Sequence, residues 1–457
     1  MLHCRIPAIF LLFLLAGTGC GGTAESPSAV MEVGSQSTSN AAPENLSAAA
    51  NSSNPALQTA DSSSGVLMAI PPGTAATAAI SSGKDAAGVA AAGPGNGASQ
   101  TDSTAPHDEV TDVLAEIQKL RIAPIPADLE QARQTRRQRN EQIVELATRV
   151  VRMTMKDADQ QSRFQNAIEH LLEARFQMAL AGTQEDIDQL YADVQALNDH
   201  DPKSAAAAEG VYMIARFSHT KAGQLGRSQP VWFETLSRWA REFADRFPEQ
   251  TNRAVTLLFV AARSCELHAL AATDADLTKR LMTESTLCYT TLAQKFSKTP
   301  QGQEAAAVLR RMSLPGQVLS QFSGPTLDGG FVTADEFPGK TTLIYFWETE
   351  NAEFAEELLP VLQRIQDEFP PEQLRVVGVV LDEAEKSVES FLETTTLPGL
   401  QIFFPTAEQR SWNSPLVRYW GVSKVPSVWL LDSRGSVVST TLKPADLAQT
   451  VQKLTRR

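Results

Sequence analysis

The side chains able to do chemistry in this 457-residue chain are few and scattered. There are four cysteines, Cys4, Cys20, Cys265 and Cys288, and six histidines, none beyond His268. Disulfide exchange needs a thiolate, and reactive thiols are commonly paired as Cys-x-x-Cys where a helix start lowers the thiol pKa. No two cysteines here have that spacing. Nor do the histidines and cysteines show the short intervals of a zinc site, so neither a metal nor a cofactor is expected. Three carboxylates, Glu348, Glu350 and Glu353, crowd one turn. Carboxylates can act as general acids and bases. These have no His, Ser or metal partner in the sequence, and acids are favoured at a helix start for electrostatic reasons alone.

The elements around that turn read clearly. Residues 341–347 are an apolar strand, and a helix is expected from about Asn351 to Phe369, with Leu358, Leu359, Leu362 and Ile365 on its apolar face and Pro360 kinking it. A second buried strand covers 374–382, a helix 385–394, a short strand 400–405, a strand 425–432 that opens a hairpin, and a terminal helix 444–454. Alternating strands and helices predict an α/β domain.

From 109 to about 312 the apolar residues recur at three-to-four spacing, as in Val110, Val113, Leu114 and Ile117. Thr183 reads as the cap of a helix start. Three Pro-containing turns, 201–205, 246–250 and 298–302, each close one helix and open an Ala-rich next one. They resemble the turns of tetratricopeptide hairpins at longer and less regular spacing, so a repeat array and a generic bundle both remain open. Cys265 and Cys288 flank the turn near 272–275. A structural disulfide between them is open outside the cytoplasm; two buried small side chains are the preferred alternative.

Residues 21–107 are rich in Ala, Ser, Gly and Thr, hold no aromatic residue, and have Lys84 as their one Lys or Arg. Such composition cannot offset its ordering entropy and reads as a disordered tether, a glycosylated stalk being the alternative. Before it, residues 9–16 are apolar and 17–19 small, ahead of Cys20. This resembles a bacterial lipoprotein signal, which implies export, lipidation of Cys20 and a membrane anchor; Gly17 in place of the usual Leu leaves ordinary cleavage near Thr18 or Gly19 open. The expected organisation is multi-domain: signal 1–20, tether 21–108, α-helical region 109–314, and α/β domain 315–457. The net charge of −13 argues against nucleic acid as a partner.

Residues 324–332, 335–340, 341–347, 416–422 and 425–432, in that order and spacing, resemble the TlpA/ResA-type thioredoxin-like family. That resemblance implies a thioredoxin-like fold and places Asn351, Ala352, Glu353 and Phe354 on the family's Cys-x-x-Cys. Both cysteines are replaced. Asn351 then reads as a helix N-cap and Phe354 as core packing. The resemblance also implies a cis Pro426 that leaves the Val425 backbone free for an extended peptide, so Trp347, Val425 and Pro426 form the candidate peptide-binding edge. The expectation is a membrane-tethered protein of the cell envelope, on the periplasmic face or outer membrane, with a redox-silent binding or scaffold domain and an unidentified protein or peptide partner. A thiol-disulfide oxidoreductase is the alternative that the fold alone suggests.

Overall fold

The computed structural model describes residues 108–455, so the signal-type segment, Cys20 and the expected tether up to residue 107 lie outside the described residues. The first region is helical: α1 Glu109–Ile122, α2 Leu129–Thr154, α3 Gln161–Ala181, α4 Gln184–His200, α5 Ala205–Leu225, α6 Val231–Arg246, α7 Thr251–Ala271, α8 Ala275–Lys295 and α9 Pro300–Met312. Local chemistry sets their ends. Thr183 and Asp186 form a capping box at α4, Ser204 accepts from the Ala207 N–H at α5, and Thr299 accepts from the Gly302 N–H with Pro300 in the first turn of α9. The three Pro-containing turns therefore fall between α4 and α5, α6 and α7, and α8 and α9. The α7–α8 hairpin uses helices of 21 residues each, longer than the roughly 34-residue tetratricopeptide unit allows. Helix α7 is long and apolar enough to cross a membrane; here its Leu257, Leu258, Ala261 and Cys265 are fully buried among the neighbouring helices.

The second region opens with a hairpin, β1 Ser323–Pro325 and β2 Phe331–Thr333, turned at Gly329 with a φ of +83°. The main sheet holds β3 Thr341–Trp347, β4 Leu374–Val380, β5 Leu400–Ile402, β6 Ser427–Leu431 and β7 Val437–Ser439 in the order β5-β4-β3-β6-β7. Strands β3, β4 and β5 run parallel, while β6 is antiparallel to β3 and β7 to β6. Strand side chains alternate between two cores. Leu343, Tyr345 and Trp347 face one side, covered by α10 Leu359–Glu368, α11 Glu385–Thr394 and α13 Pro444–Thr455. Ile344 and Phe346 face the other, with α12 Pro415–Trp420 and the β1–β2 hairpin. This is a thioredoxin-like α/β domain behind a helical region.

The expected helix after β3 departs from regularity. Residues Phe354–Leu358 form a π turn, in which the Leu359 N–H reaches back to the Phe354 carbonyl, and α10 follows. Pro360 has no N–H to give and its ring would press on the carbonyl four residues back. Widening the preceding turn is how this helix accommodates it.

Candidate functional site

The site sits where β3 ends and the helix begins. Trp347 pairs with Val380 on the parallel neighbour β4, so Glu348, one residue past β3, and Asp382, two residues past β4, emerge near each other. The Asp382 carboxylate accepts from the Thr349 N–H at 3.1 Å and from the Thr349 hydroxyl. Glu348 is half-buried beside it. Burial first, then the charges of Asp382 and Glu350, raise its carboxyl to about 7. Burial also raises Asp382, partly offset by the Thr349 bonds.

Glu348 therefore holds its proton more tightly folded than unfolded, and the native chain loses stability as pH climbs from 4.5 towards 7. Glu348→Gln removes that penalty. At pH near 8 it is expected to raise the unfolding free energy by about 1 kcal/mol, a figure discounted for the group's partial exposure. Below the ordinary glutamate pKa of 4.5 it should change nothing. Urea melts across that range check the slope, and a pH-independent effect would contradict the assignment.

Asn351 begins the helix. Its Oδ1 accepts from the Phe354 N–H at 2.8 Å, an N-cap bond to the third helical residue. Its Nδ2 donates to the Val425 carbonyl at 3.3 Å. Ala352 is exposed, and Glu353 pairs with Lys424 at 3.2 Å. Phe354 is wholly buried, stacked on Trp347 with ring centroids 4.8 Å apart and on Tyr345 at 6.0 Å.

Two expectations need correction. Trp347 belongs to no exposed edge: it is fully buried and its Nε1 donates to Gln401 Oε1 at 3.1 Å. The Val425–Pro426 bond is cis as expected, yet the Val425 carbonyl is not free, because Asn351 holds it. Of the two Val425 backbone groups, the N–H has no hydrogen-bond partner among the described residues. Cys265 and Cys288, for which two buried small side chains are the preferred reading, are free buried thiols with no disulfide between them. Cys265 turns towards the Phe233 carbonyl at 3.6 Å and Cys288 towards the Ser237 hydroxyl at 3.1 Å, so the two sulfurs serve different neighbours. Burial raises both thiols, Cys288 to about 12, which suits inert packing.

Some site residues escaped the sequence reading. Gln401 on β5 bonds Trp347 and, at 2.8 Å, donates to the Tyr345 hydroxyl, itself bonded to the Pro398 carbonyl. The signal was Gly378 inside a buried strand: a Cβ there would meet Gln401 Oε1 at 1.9 Å. A second missed group joins the two regions. Glu266 on α7 and Arg311 on α9 form a buried ion pair. Glu266 also accepts from the Tyr289 hydroxyl at 2.9 Å and from the Ser423 hydroxyl at 3.4 Å. Arg311 Nε donates to the Gly421 carbonyl at 3.0 Å, and Arg263 donates to the Ser423 carbonyl at 2.9 Å. Gly421 lies against the α9 backbone, where a Cβ would meet Val308 N at 2.4 Å. The loop leading to Pro426 is thus held by the helical region.

Residues 315–440 match the model of the AhpC/TSA family, so the C-terminal part of the chain is a redoxin domain of thioredoxin-like fold. No curated protein matches the chain. Among solved structures, the thioredoxin domain of a thiol-disulfide oxidoreductase from Bacteroides vulgatus is 23% identical, with a TM-score of 0.27, 30% of this chain covered and 96% of that one. A thiol:disulfide interchange protein from a Bacteroides species is 22% identical, TM-score 0.28, covering 31% and 91%. A secreted disulfide oxidoreductase of Mycobacterium tuberculosis is 16% identical, TM-score 0.25, covering 29% and 96%.

Proposed function

We propose that this protein is an exported, membrane-tethered binding protein of the TlpA/ResA subtype whose redoxin domain recognises an extended polypeptide and exchanges no disulfide. The observation that carries this reading is the Asn351 side chain. Its oxygen caps the helix and its amide nitrogen holds Val425, so the place of an attacking sulfur is filled by a group with both ends engaged. Exchange requires a thiolate that bonds one sulfur of a disulfide and displaces the other. An amide cannot do this, and residue 354, the resolving position, is a ring packed in the core.

What remains at the surface is a half-exposed loop, Ser423–Ser427, with the free Val425 N–H and the Lys424–Glu353 pair beside it. Backbone donors at such an edge bind extended peptides, and neighbouring side chains select among them. The Val425 carbonyl joins in only when the Asn351 amide rotates away. The signal-type segment ahead of Cys20 supports export and anchoring, and the helical region offers a second docking face. The full chain is expected to reduce insulin with dithiothreitol no faster than dithiothreitol alone. Turnover above that background would restore the oxidoreductase reading.

A further inference from the structure

We infer that the turn between α1 and α2 is a docking tip for an anionic lipid bilayer. The tip carries the two most exposed large apolar side chains of the described residues, Ile122 at 82% and Leu129 at 78%. They flank a short connection containing Pro124 and Pro126. Around them lie the exposed cations Lys119, Arg121, Arg133 and Arg136. Between residues 119 and 139 the only acids are Asp128 and Glu130, in a chain whose net charge is −13. Asp128 is occupied in capping the Gln131 N–H, and Glu130 lies 3.7 Å from Arg133. Local charge thus runs against the charge of the whole molecule, at the place where the two most exposed aliphatic side chains of the described residues stand in water.

Beneath the tip is a cavity of about 170 Å³ lined by Arg121, Arg139, Asn140, His170, Glu173 and Gln177. Glu173 is neutralised there by Arg216 at 3.0 Å. Arg139 spends one terminal nitrogen on the Ala123 carbonyl at 3.1 Å, while its buried Nε has no partner. The cavity suits a phosphate oxygen of a lipid headgroup. Two aliphatic side chains make too small a patch for a protein interface, which needs several hundred Å² on each partner. They suit the boundary between headgroups and acyl chains, where basic residues meet anionic lipid and short apolar groups enter the hydrocarbon. The tip follows the far end of α1, one 14-residue helix beyond the expected tether, so in an anchored chain it would be within reach of a membrane surface; that last point rests on the proposed function, the others do not.

The test is flotation of the chain from residue 21 onward, which keeps every described residue and has no lipid anchor. Vesicles of equal parts phosphatidylethanolamine and phosphatidylglycerol should carry it upward, pure phosphatidylcholine should not, and high salt should weaken binding. Ile122→Asp with Leu129→Asp, and separately Arg133→Glu with Arg136→Glu, should each cut the bound fraction at least tenfold with unchanged thermal melting. Leu129→Cys labelled with an environment-sensitive dye should brighten on the anionic vesicles, and it remains informative if an aspartate variant melts early. No binding by the parent chain, equal binding to phosphatidylcholine, undiminished binding by either charge-altered variant, or no change in the dye overturns the inference. Fatty-acid labelling at Cys20 tests the tether separately, so the two can fail independently.

Discussion

Glu266→Ala is expected to destabilise the chain by about 3–5 kcal/mol, the range for removing one partner of a buried ion pair. Glu266 is fully buried, and three groups converge on its carboxylate: Arg311, Tyr289 and Ser423. Alanine leaves the Arg311 guanidinium buried without a counter-charge and the Tyr289 hydroxyl without its acceptor. Most of the loss is the desolvation of what stays behind, so exchanging both partners for apolar residues, as in Glu266→Leu with Arg311→Met, should recover much of it. Urea unfolding measures the single variant, and a loss under about 1 kcal/mol would show that water reaches the pair. The same change should be felt at the site. Arg311 and Arg263 hold the carbonyls of Gly421 and Ser423. The Val425 amide should therefore exchange faster in Glu266→Ala than global destabilisation alone requires.

Phe354→Ala should cost about 3–5 kcal/mol, the usual range for truncating a buried aromatic to alanine. The ring fills the space between Trp347, Tyr345 and Phe391, and alanine leaves a cavity that β3 and the π turn cannot both close. Phe354→Leu should cost clearly less, because it retains most of the volume. Melting of the two variants side by side gives the comparison. Equal losses would mean that the ring's stacking, and not its volume, dominates. The phenyl ring at position 354 is thus part of the packing between helix and sheet, and a thiol there would leave much of that space empty.

Much of the domain was legible because its signals are local. The apolar run in Thr341–Trp347 needs only neighbouring residues to declare a strand with two buried faces. Thr183 announces a helix start because a cap acts within three residues. That residues 351 and 354 after β3 are Asn and Phe is a matter of residue type alone. The π turn was not legible: a proline in a helix reads as a kink, and how the turn relieves it depends on what packs around Phe354 and Leu358.

The chain's order of residues decided that positions 351 and 354 hold an amide and a ring and carry no sulfur. Its apolar periodicity also decided that helices come first and an α/β sheet after. Only the folded structure decided where the amide of Asn351 points, since its partner Val425 is 74 residues away. It alone joined Glu266 to Arg311 and brought Gln401 beneath Trp347. Caps and strands arise from forces that act along a few bonds, whereas these pairings depend on register and helix placement, which many distant contacts fix together.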